Sequence, residues 1–270
     1  MKHQTADRGI KTPNKQFNIE KIEGQPIVAL AGNPNTGKST LFNYLTGLKQ
    51  HTGNWPGKTV LQAQGTFTHR DKTFTLVDLP GTYSLLANSS EEEVARDFLC
   101  FAQPDACIVV TDATCLERNL NLVLQVLEIT SRVIVCVNLL DEARRKGFQI
   151  DLPALAKELG VPVVGTVART GTGINQLLDT VYAIATGSLL PTPCQILYSP
   201  AIEAAAAKLA NNLSGEITTY LNPRWLALRL MDGDQSLIAA INRYLTDFTP
   251  PTAELPAPVF KASLEKYALG

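Results

Sequence analysis

The chain has 270 residues, which is enough for one good-sized α/β domain and a smaller second domain. Its 24 Lys and Arg residues nearly balance 25 Asp and Glu residues, so no global charge favours nucleic acid or anionic lipid as a partner. The five cysteines have no Cys-x-x-Cys spacing, and no apolar run approaches the roughly 18 residues that a membrane span needs. We therefore expect this chain to be soluble, in a reducing compartment, without a nucleic-acid partner.

The predicted elements begin after a polar stretch, residues 1–24, for which we expect a flexible tail. From Pro26, short β-branched apolar runs alternate with amphipathic segments, a pattern typical of buried parallel strands joined by crossover helices. The runs are IVALAG, FTLVDLPG, CIVVTDA, VIVCVNLLD and VPVVGTV, and a helix is expected from Lys38. The pattern predicts a doubly wound, mostly parallel α/β domain over residues 25–187.

A proline-rich segment follows, and we place a domain boundary near Pro191. Beyond it the sequence predicts only helices, in AIEAAAAKLANNL, PRWLALRLM and DQSLIAAINRYL, with Pro223 in a first turn and Asp234 as an N-cap. Residues 191–270 are thus predicted to form a small all-helical domain. Six Lys and Arg against seven Asp and Glu in that range leave no basic stripe for RNA or DNA.

The most specific motif lies between the first predicted strand and the first predicted helix, where residues 32–39 match G-x-x-x-x-G-K-[ST]. In such a loop the glycines let backbone N–H groups turn toward phosphates, Lys38 reaches the β- and γ-phosphates, and Ser39 ligates Mg²⁺. The alternative is a Gly/Asn turn before a helix, which the strand–loop–helix context disfavours. The predicted nucleotide-binding residues here are Gly32, Asn33, Pro34, Asn35, Thr36, Gly37, Lys38, Ser39 and Thr40.

A second motif, Asp-Leu-Pro-Gly, follows the strand predicted over residues 74–77. Asp78 would stand at the carboxyl end of that strand, where a carboxylate can hold Mg²⁺ through water, and the Gly81 N–H would meet the γ-phosphate. The same four residues could also be an ordinary turn. Their position after a strand and their distance from the phosphate-binding loop favour the functional interpretation.

The choice of base is predicted from Asn138-Leu-Leu-Asp141, again at the end of an apolar run. A carboxylate at Asp141 can accept from guanine N1–H and N2–H, whereas adenine presents an acceptor at N1, so a buried carboxylate rejects adenine. Alone, this motif could equally cap the next helix. The order and spacing of the three motifs favour GTP over ATP.

At this point the sequence resembles the translation-factor-like GTPases, and more narrowly FeoB, the bacterial Fe(II) uptake protein whose GTPase domain precedes a membrane domain. The resemblance covers roughly residues 25–235 and rests on GNPNTGKSTLFNYLTG, HTGNWPGKTV, DLPGTYSL, SSEEEVARDFL, DATCLERNLNLVLQVLE and PRWLALRLMDGD. It implies a GTP-binding and slowly GTP-hydrolysing domain on the cytoplasmic face of the bacterial inner membrane. The membrane domain of the same polypeptide would be its partner, and a homo-oligomer is left open.

The resemblance also implies roles for two further residues. Residues 55–60 would be the first switch, with Thr59 closing on Mg²⁺ and the γ-phosphate, although the sequence alone leaves Thr52 and Thr59 as competing candidates. Asn35 stands where similar GTPases help to hold a K⁺ ion beside the phosphates, and its amide oxygen suits that role. The alternative is that Asn35 stabilises the loop backbone. Asn35, Lys38, Thr59 and Gly81 are accordingly the predicted catalytic residues.

The last base-binding segment is expected at Thr166, Val167 and Ala168, where the Ala168 N–H would meet guanine O6. Val167 occupies the usual place of a serine, so we expect a loop-bracing hydroxyl to be missing and guanine affinity to be modest. Thr82 follows Gly81 where many regulatory GTPases carry the glutamine that orients the attacking water. We expect slow intrinsic hydrolysis without a side-chain general base.

The predicted helical domain resembles the FeoB segment that modulates GDP affinity and links to the membrane part. Its apolar Trp225, Leu226, Leu228 and Leu230 suggest that it docks on the first domain and transmits switch movement, although it could simply be a packing accessory.

Two other functions stay as alternatives. A ribosome- or RNA-associated GTPase would usually carry a basic module, and an ATP-using metabolic enzyme would need a second substrate pocket. The three histidines are scattered and no carboxylate cluster has metal-ligand spacing, so the sequence predicts no iron site in this chain.

Overall fold

The computed structural model describes residues 17–19, 22, 24–47, 50–213 and 215–248. Most of the predicted tail over residues 1–24, and residues 249–270 of the predicted helical domain, therefore lie outside the described residues.

Within the described residues, seven strands form one sheet. The strands are β1 Ile27–Gly32, β2 Gln50–Asn54, β3 Leu61–His69, β4 Lys72–Asp78, β5 Ala106–Asp112, β6 Val133–Asn138 and β7 Val163–Gly165. Their order across the sheet is β2-β3-β4-β1-β5-β6-β7. β4, β1, β5, β6 and β7 run parallel, whereas β2 pairs antiparallel with β3 and β3 with β4. The predicted mostly parallel α/β fold is confirmed.

Helices cover both faces of this sheet. They are α1 Lys38–Thr46, α2 Ser90–Asp97, α3 Leu116–Ile129, α4 Leu140–Arg145, α5 Leu152–Leu159 and α6 Ile174–Ala185, and a π-helical turn, Phe98–Ala102, continues α2. Alternate residues of β1 enter two separate cores: Ala29 packs with α2 and α3, and Leu30 packs with α1 and α6. Burial of β1 on both faces explains why its sequence is continuously apolar.

The carboxyl-terminal part of the described chain is helical. Its helices are α7 Pro200–Ala210, α8 Gly215–Tyr220, α9 Pro223–Met231 and α10 Gln235–Phe248. The Asn222 side chain caps α9 by accepting from the Arg224 and Trp225 N–H groups, and Pro223 occupies the first turn as predicted. Asp234 Oδ1 accepts from Leu237 N at 2.9 Å, which is the predicted N-cap contact. No helix in the described part of the chain is long and apolar enough to cross a membrane.

The helices pack against the π-helical turn of the α/β domain. Cys100 and Phe101 from that turn share a buried cluster with Trp225, Leu226 and Leu230 of α9. The guanidinium of Arg96, in α2, is 1% exposed and reaches α10 through Ser236 Oγ at 2.6 Å and Asp234 Oδ2 at 3.4 Å. The pKa of the neighbouring Asp97 carboxyl is raised, because burial raises it by more than the charge of Arg96 lowers it. Keeping these charged groups away from water therefore costs desolvation free energy.

Candidate functional site

The loop between β1 and α1 adopts a backbone that only glycine tolerates at two positions. Gly32 has φ 155° and Gly37 has φ 83°. A Cβ on Gly32 would lie 2.5 Å from the Val110 carbonyl oxygen, and one on Gly37 would lie 2.3 Å from Asn138 Nδ2. Side chains are therefore excluded by both backbone strain and contact, which fixes the loop tightly against β5 and β6.

The ammonium of Lys38, at the start of α1, points at the end of β4. Its Nζ donates to Asp78 Oδ1 at 2.5 Å and to the Leu79 carbonyl oxygen at 2.7 Å. Burial raises the pKa of the Asp78 carboxyl, and the charge of Lys38 partly opposes that shift. The motifs at residues 32–39 and 78–81 thus meet at one point, as the parallel arrangement of β1 and β4 requires.

Most residues of the predicted phosphate-binding loop line two adjoining clefts of about 560 and 390 Å³, which share Lys38, Ser39 and Gly81. Gly81 lies close to the Pro34 backbone, since a Cβ added there would meet it at 3.4 Å. The first cleft is lined by Asn33, Pro34, Asn35, Gly37, Lys38, Ser39, Thr40 and Gly81. Ser39, Thr40 and Asn35 are exposed, whereas both amide atoms of Asn33 are enclosed without a hydrogen-bond partner.

Asn138, at the end of β6, connects the phosphate-binding loop with the segment 166–168. Its Nδ2 donates to the Thr36 carbonyl oxygen at 3.0 Å, and its Oδ1 accepts from Ala168 N at 2.9 Å. Oδ1 also accepts from the Thr166 hydroxyl at 3.1 Å. Asn138 is 1% exposed, so one buried amide holds these two loops in register through three hydrogen bonds.

The bracing hydroxyl that the sequence analysis expected to be missing is supplied one position earlier. Val167 does replace the usual serine, and its side chain is buried. The Thr166 hydroxyl instead braces the loop through Asn138, and Val167 N donates to the Thr172 carbonyl oxygen at 3.0 Å. Position 167 therefore carries no hydroxyl, as expected, and the neighbouring Thr166 hydroxyl makes a bracing contact that the motif alone did not indicate. The expectation of modest guanine affinity stays a prediction.

Asp141 lies in the first turn of α4, beside the segment 166–168. Its Oδ1 is enclosed and has no hydrogen-bond partner, while its Oδ2 accepts from Arg169 Nη2 at 3.2 Å. An enclosed carboxylate oxygen without a donor is costly unless something supplies one. The sequence analysis did not single out Arg169, although its place directly after Ala168 could have drawn attention to it.

The structure separates the two threonine candidates of the first switch. Thr52 lines the second cleft with Ser39 and Asp78, because β2 pairs with β3 and β3 with β4. Thr59 is exposed and lies in the turn between Trp55 and Val60, which the Trp55 N–H to Val60 carbonyl hydrogen bond closes at 2.9 Å. In this conformation Thr59 is therefore not gathered with the other predicted metal ligands.

Helix α2 contacts two loops near the cleft, the segment 55–60 and the loop after Gly81. The sequence analysis did not predict these contacts. Glu93 forms an ion pair with Lys58, beside Thr59. Glu92 accepts from the Ser84 hydroxyl at 2.9 Å and from Asn88 N at 2.9 Å, in the loop that follows Gly81. Among the described residues, no group of three or more His, Cys, Asp or Glu side chains could hold a metal ion.

The fold and this loop arrangement define a P-loop nucleotide-binding domain, of the class called G domains. Residues 26–181 match the family model of ferrous iron transport protein B, and residues 198–261 match the model of the FeoB cytosolic helical domain. The chain therefore belongs to the FeoB family, and contains its GTPase domain and cytosolic helical domain. The predicted family is confirmed.

Curated relatives agree with this assignment. A fusion of Fe(2+) transport protein A with the Fe(2+) transporter FeoB from Porphyromonas gingivalis is 39% identical over 273 residues, covering 98% of this chain and 31% of that protein. The Fe(2+) transporter FeoB of Salmonella typhimurium is 41% identical over 211 residues, covering 77% of this chain and 27% of the relative. The chain thus spans less than a third of the length of these relatives.

Solved structures show the same architecture. The cytosolic domain of T. maritima FeoB, in its GDP form I, superposes with a TM-score of 0.73 at 37% identity, covering 85% of this chain and 88% of the other. The same domain was solved with GMPPNP, again with a TM-score of 0.73. The G domain of that protein was also solved by itself, at 45% identity over 60% of this chain and 99% of the other.

Proposed function

We propose that this chain binds GTP and hydrolyses it slowly, and that it thereby regulates or drives Fe(II) uptake by a FeoB-type membrane transporter. The observation that carries the proposal is the position of Asn138, whose one amide ties the phosphate-binding loop to the base-reading segment. Phosphate and base contacts would thereby lie at one edge of the sheet, beyond the carboxyl ends of its strands, where ligands of open α/β sheets bind.

At the phosphate end, the backbone N–H groups of residues 32–39 and the start of α1 would surround the β- and γ-phosphates. Lys38 would exchange its contact with Asp78 for the phosphates, and the Gly81 N–H would meet the γ-phosphate. Ser39, Thr59 and Asp78 offer hydroxyl and carboxylate oxygens, a donor set that fits Mg²⁺, with Asp78 acting through water. Bound Mg²⁺ would neutralise phosphate charge.

At the base end, Asp141 would accept from guanine N1–H and N2–H, and its enclosed, unpartnered Oδ1 fits that task. The Ala168 N–H is engaged by Asn138 at 2.9 Å, so a contact with guanine O6 would be shared. Thr166, Val167 and Ala168 would close over the base edge. Adenine would leave the Asp141 carboxylate facing a lone pair, which favours GTP and GDP.

Hydrolysis would depend on positioning rather than on a side-chain base. Thr82 is 5% exposed, and its backbone N–H donates to the Gly32 carbonyl oxygen at 3.4 Å, a contact with the phosphate-binding loop that does not need the threonine side chain. Asn35 is exposed and lines the first cleft together with Lys38. Its amide oxygen would hold K⁺, and K⁺ would add positive charge beside the phosphates.

The helical domain would report the state of the cleft to the rest of the transporter. Helix α2 pairs with Lys58 of the first switch segment through Glu93, and with α10 through Arg96. Movement at residues 55–60 would therefore shift α2 and the helices packed on it. The recipient would be the membrane domain of the same polypeptide, and this chain would lie at the cytoplasmic face of the bacterial inner membrane.

Phosphate release from GTP by the purified chain tests the catalytic proposal. We expect Lys38→Ala to lose most turnover, because it removes the positive charge that would contact the phosphates. Thr82→Ala should keep more than a tenth of the parent turnover. A Thr82→Ala variant below that fraction would show that the hydroxyl acts in catalysis. Retention of full turnover by Lys38→Ala would place the activity outside this cleft.

The same assay in K⁺ and in Na⁺ tests the role of Asn35. We expect faster turnover in K⁺ for the parent chain and equal turnover in both salts for Asn35→Ala. Equal rates for the parent would leave the GTPase assignment intact and remove the K⁺ site.

A further inference from the structure

We propose that Arg169 is a positioning residue for base specificity, because it orients the Asp141 carboxylate that reads guanine; this inference rests on the proposed GTP-binding function. Arg169 Nη2 donates to Asp141 Oδ2 at 3.2 Å, while Asp141 Oδ1 is enclosed and unpartnered. One oxygen of the carboxylate is held and the other is left for a donor on the ligand. Each oxygen has two lone pairs, so Oδ2 can accept from Arg169 and from a base N–H together.

The neighbouring polar groups of the loop have other hydrogen-bond partners, so they do not orient the Asp141 carboxylate. Val167, in the position where a hydroxyl could have braced the loop, is apolar, and its N–H is used by the Thr172 carbonyl oxygen. The Thr166 hydroxyl is used by Asn138. Among the described residues, Arg169 is the only one that pairs with the Asp141 carboxylate.

The helix that carries Asp141 also needs such support. Helix α4 has only six residues, and its N-cap, Leu139, has φ 63° and no side-chain capping contact. Its backbone is tied to the loop through Leu140 N and the Thr166 carbonyl oxygen, at 3.3 Å. That bond sets the place of the helix end, whereas the rotamer of Asp141 is set by the ion pair with Arg169.

The ion pair is largely in water, because the Arg169 side chain is 78% exposed and that of Asp141 is 32% exposed. Exposed pairs have small effects, so loss of Arg169 should weaken binding roughly two- to fivefold. Arg169 could also strengthen binding simply by attracting the anionic nucleotide. If it acts by orienting Asp141, the loss of affinity should depend on the guanine 2-amino group, whereas general attraction should not.

The test compares GDP with IDP, which lacks the 2-amino group, as competitors of a fluorescent mant-GDP probe. We expect Arg169→Gln to weaken GDP more than IDP, and Arg169→Lys to restore part of the preference. The matched control is Arg145→Gln, which removes a similarly exposed arginine, 72% against 78%, from α4, the helix that carries Asp141; Arg145 pairs with Glu142 at 3.6 Å. Thermal unfolding of all variants checks that the fold is retained.

Two further results decide the inference. In an Asp141→Asn background, Arg169→Gln should have no further effect on the preference for GDP over IDP. Equal losses of GDP and IDP, or no loss for either, would overturn the role of Arg169. If ADP displaces the probe from the parent chain as well as GDP does, the proposed function itself fails, irrespective of Arg169.

Discussion

Asn138 illustrates how one residue can be structural and functional together. The sequence motif suggests a base-reading or helix-capping residue, whereas the structure gives its amide three partners: the Thr36 carbonyl oxygen, Ala168 N and the Thr166 hydroxyl. All of these lie in buried surroundings. The residue therefore stabilises the cleft before any ligand is present.

We expect Asn138→Ala to lower the free energy of unfolding by about 2–4 kcal/mol, because it leaves several buried groups without partners. Urea unfolding in the absence of nucleotide measures this. Asp141→Ala is the control, and it should change stability by less than about 1 kcal/mol, since its ion pair is largely exposed. Equal stability of the two variants would mean that Asn138 does not hold the loops together.

The two threonines near the cleft make a second prediction at this scale. Thr52 lines the cleft here and Thr59 lies on the exposed turn, so the assignment of Thr59 requires the segment 55–60 to move when GTP binds. We expect Thr59→Ala to slow GTP turnover at least about tenfold while leaving GDP affinity within about twofold, as for an interaction formed only with the γ-phosphate present.

Thr52→Ala serves as the matched variant for that experiment and should keep turnover near the parent value. The reverse outcome, with turnover lost in Thr52→Ala and kept in Thr59→Ala, would reassign the metal-binding hydroxyl to Thr52.

At the scale of elements, α2 connects three parts of the molecule. Its acidic residues contact Lys58 and Ser84 in the loops beside the cleft, and Arg96 contacts Asp234 and Ser236 at the start of α10. The aromatic rings of Trp55 and Phe98 extend this connection, with centroids 5.5 Å apart in an edge-to-face arrangement. The segment 55–60, helix α2 and the π-helical turn thus form one packed unit.

The connection through α2 predicts that Asp234→Asn alters GDP release. Asparagine still caps α10, and Asp97 still pairs with Arg96 at 2.7 Å, so the fold should be retained while the charge between the domains is lost. We expect the release rate, measured by stopped-flow displacement of mant-GDP, to change more than about twofold, the effect of a partly buried charge contact.

Asp232→Asn is the control, since Asp232 is 64% exposed and, among the described residues, forms an ion pair only with Arg229 of the preceding helix α9. Truncation after Gly187 is the stronger version of the test. Unchanged GDP release in both Asp234→Asn and the truncated chain would reduce the helical domain to a packing accessory.

The elements also show what a sequence can predict. β1, β5 and β6 are buried on both faces, so their continuous apolar runs predicted them as strands. The glycines of residues 32–39 predicted the loop after β1. β2 and β3 were missed because their residues, QHTGN and LQAQGTFTH, are mostly polar near the sheet edge. The pairs of Lys58 with Glu93 and Arg169 with Asp141 join residues 35 and 28 positions apart, which no local pattern reveals.

At the scale of the whole molecule, the chain is a G domain with a helical domain packed on its π-helical turn, and it spans less than a third of its curated relatives. The proposed role in Fe(II) uptake would therefore depend on what the helices contact in a transporter such as these relatives. The task that we propose for this chain is to bind and release a guanine nucleotide, and α2 is the route by which the nucleotide state would reach the helices.

The most direct test of the account is displacement of mant-GDP from the purified chain by GDP and by ADP. We predict that GDP displaces the probe at concentrations at least about a hundredfold lower than ADP, because adenine cannot pair with the Asp141 carboxylate. The Asp141→Asn variant should lose most of that preference. Displacement by ADP and GDP at similar concentrations would contradict the guanine assignment and with it the proposed function.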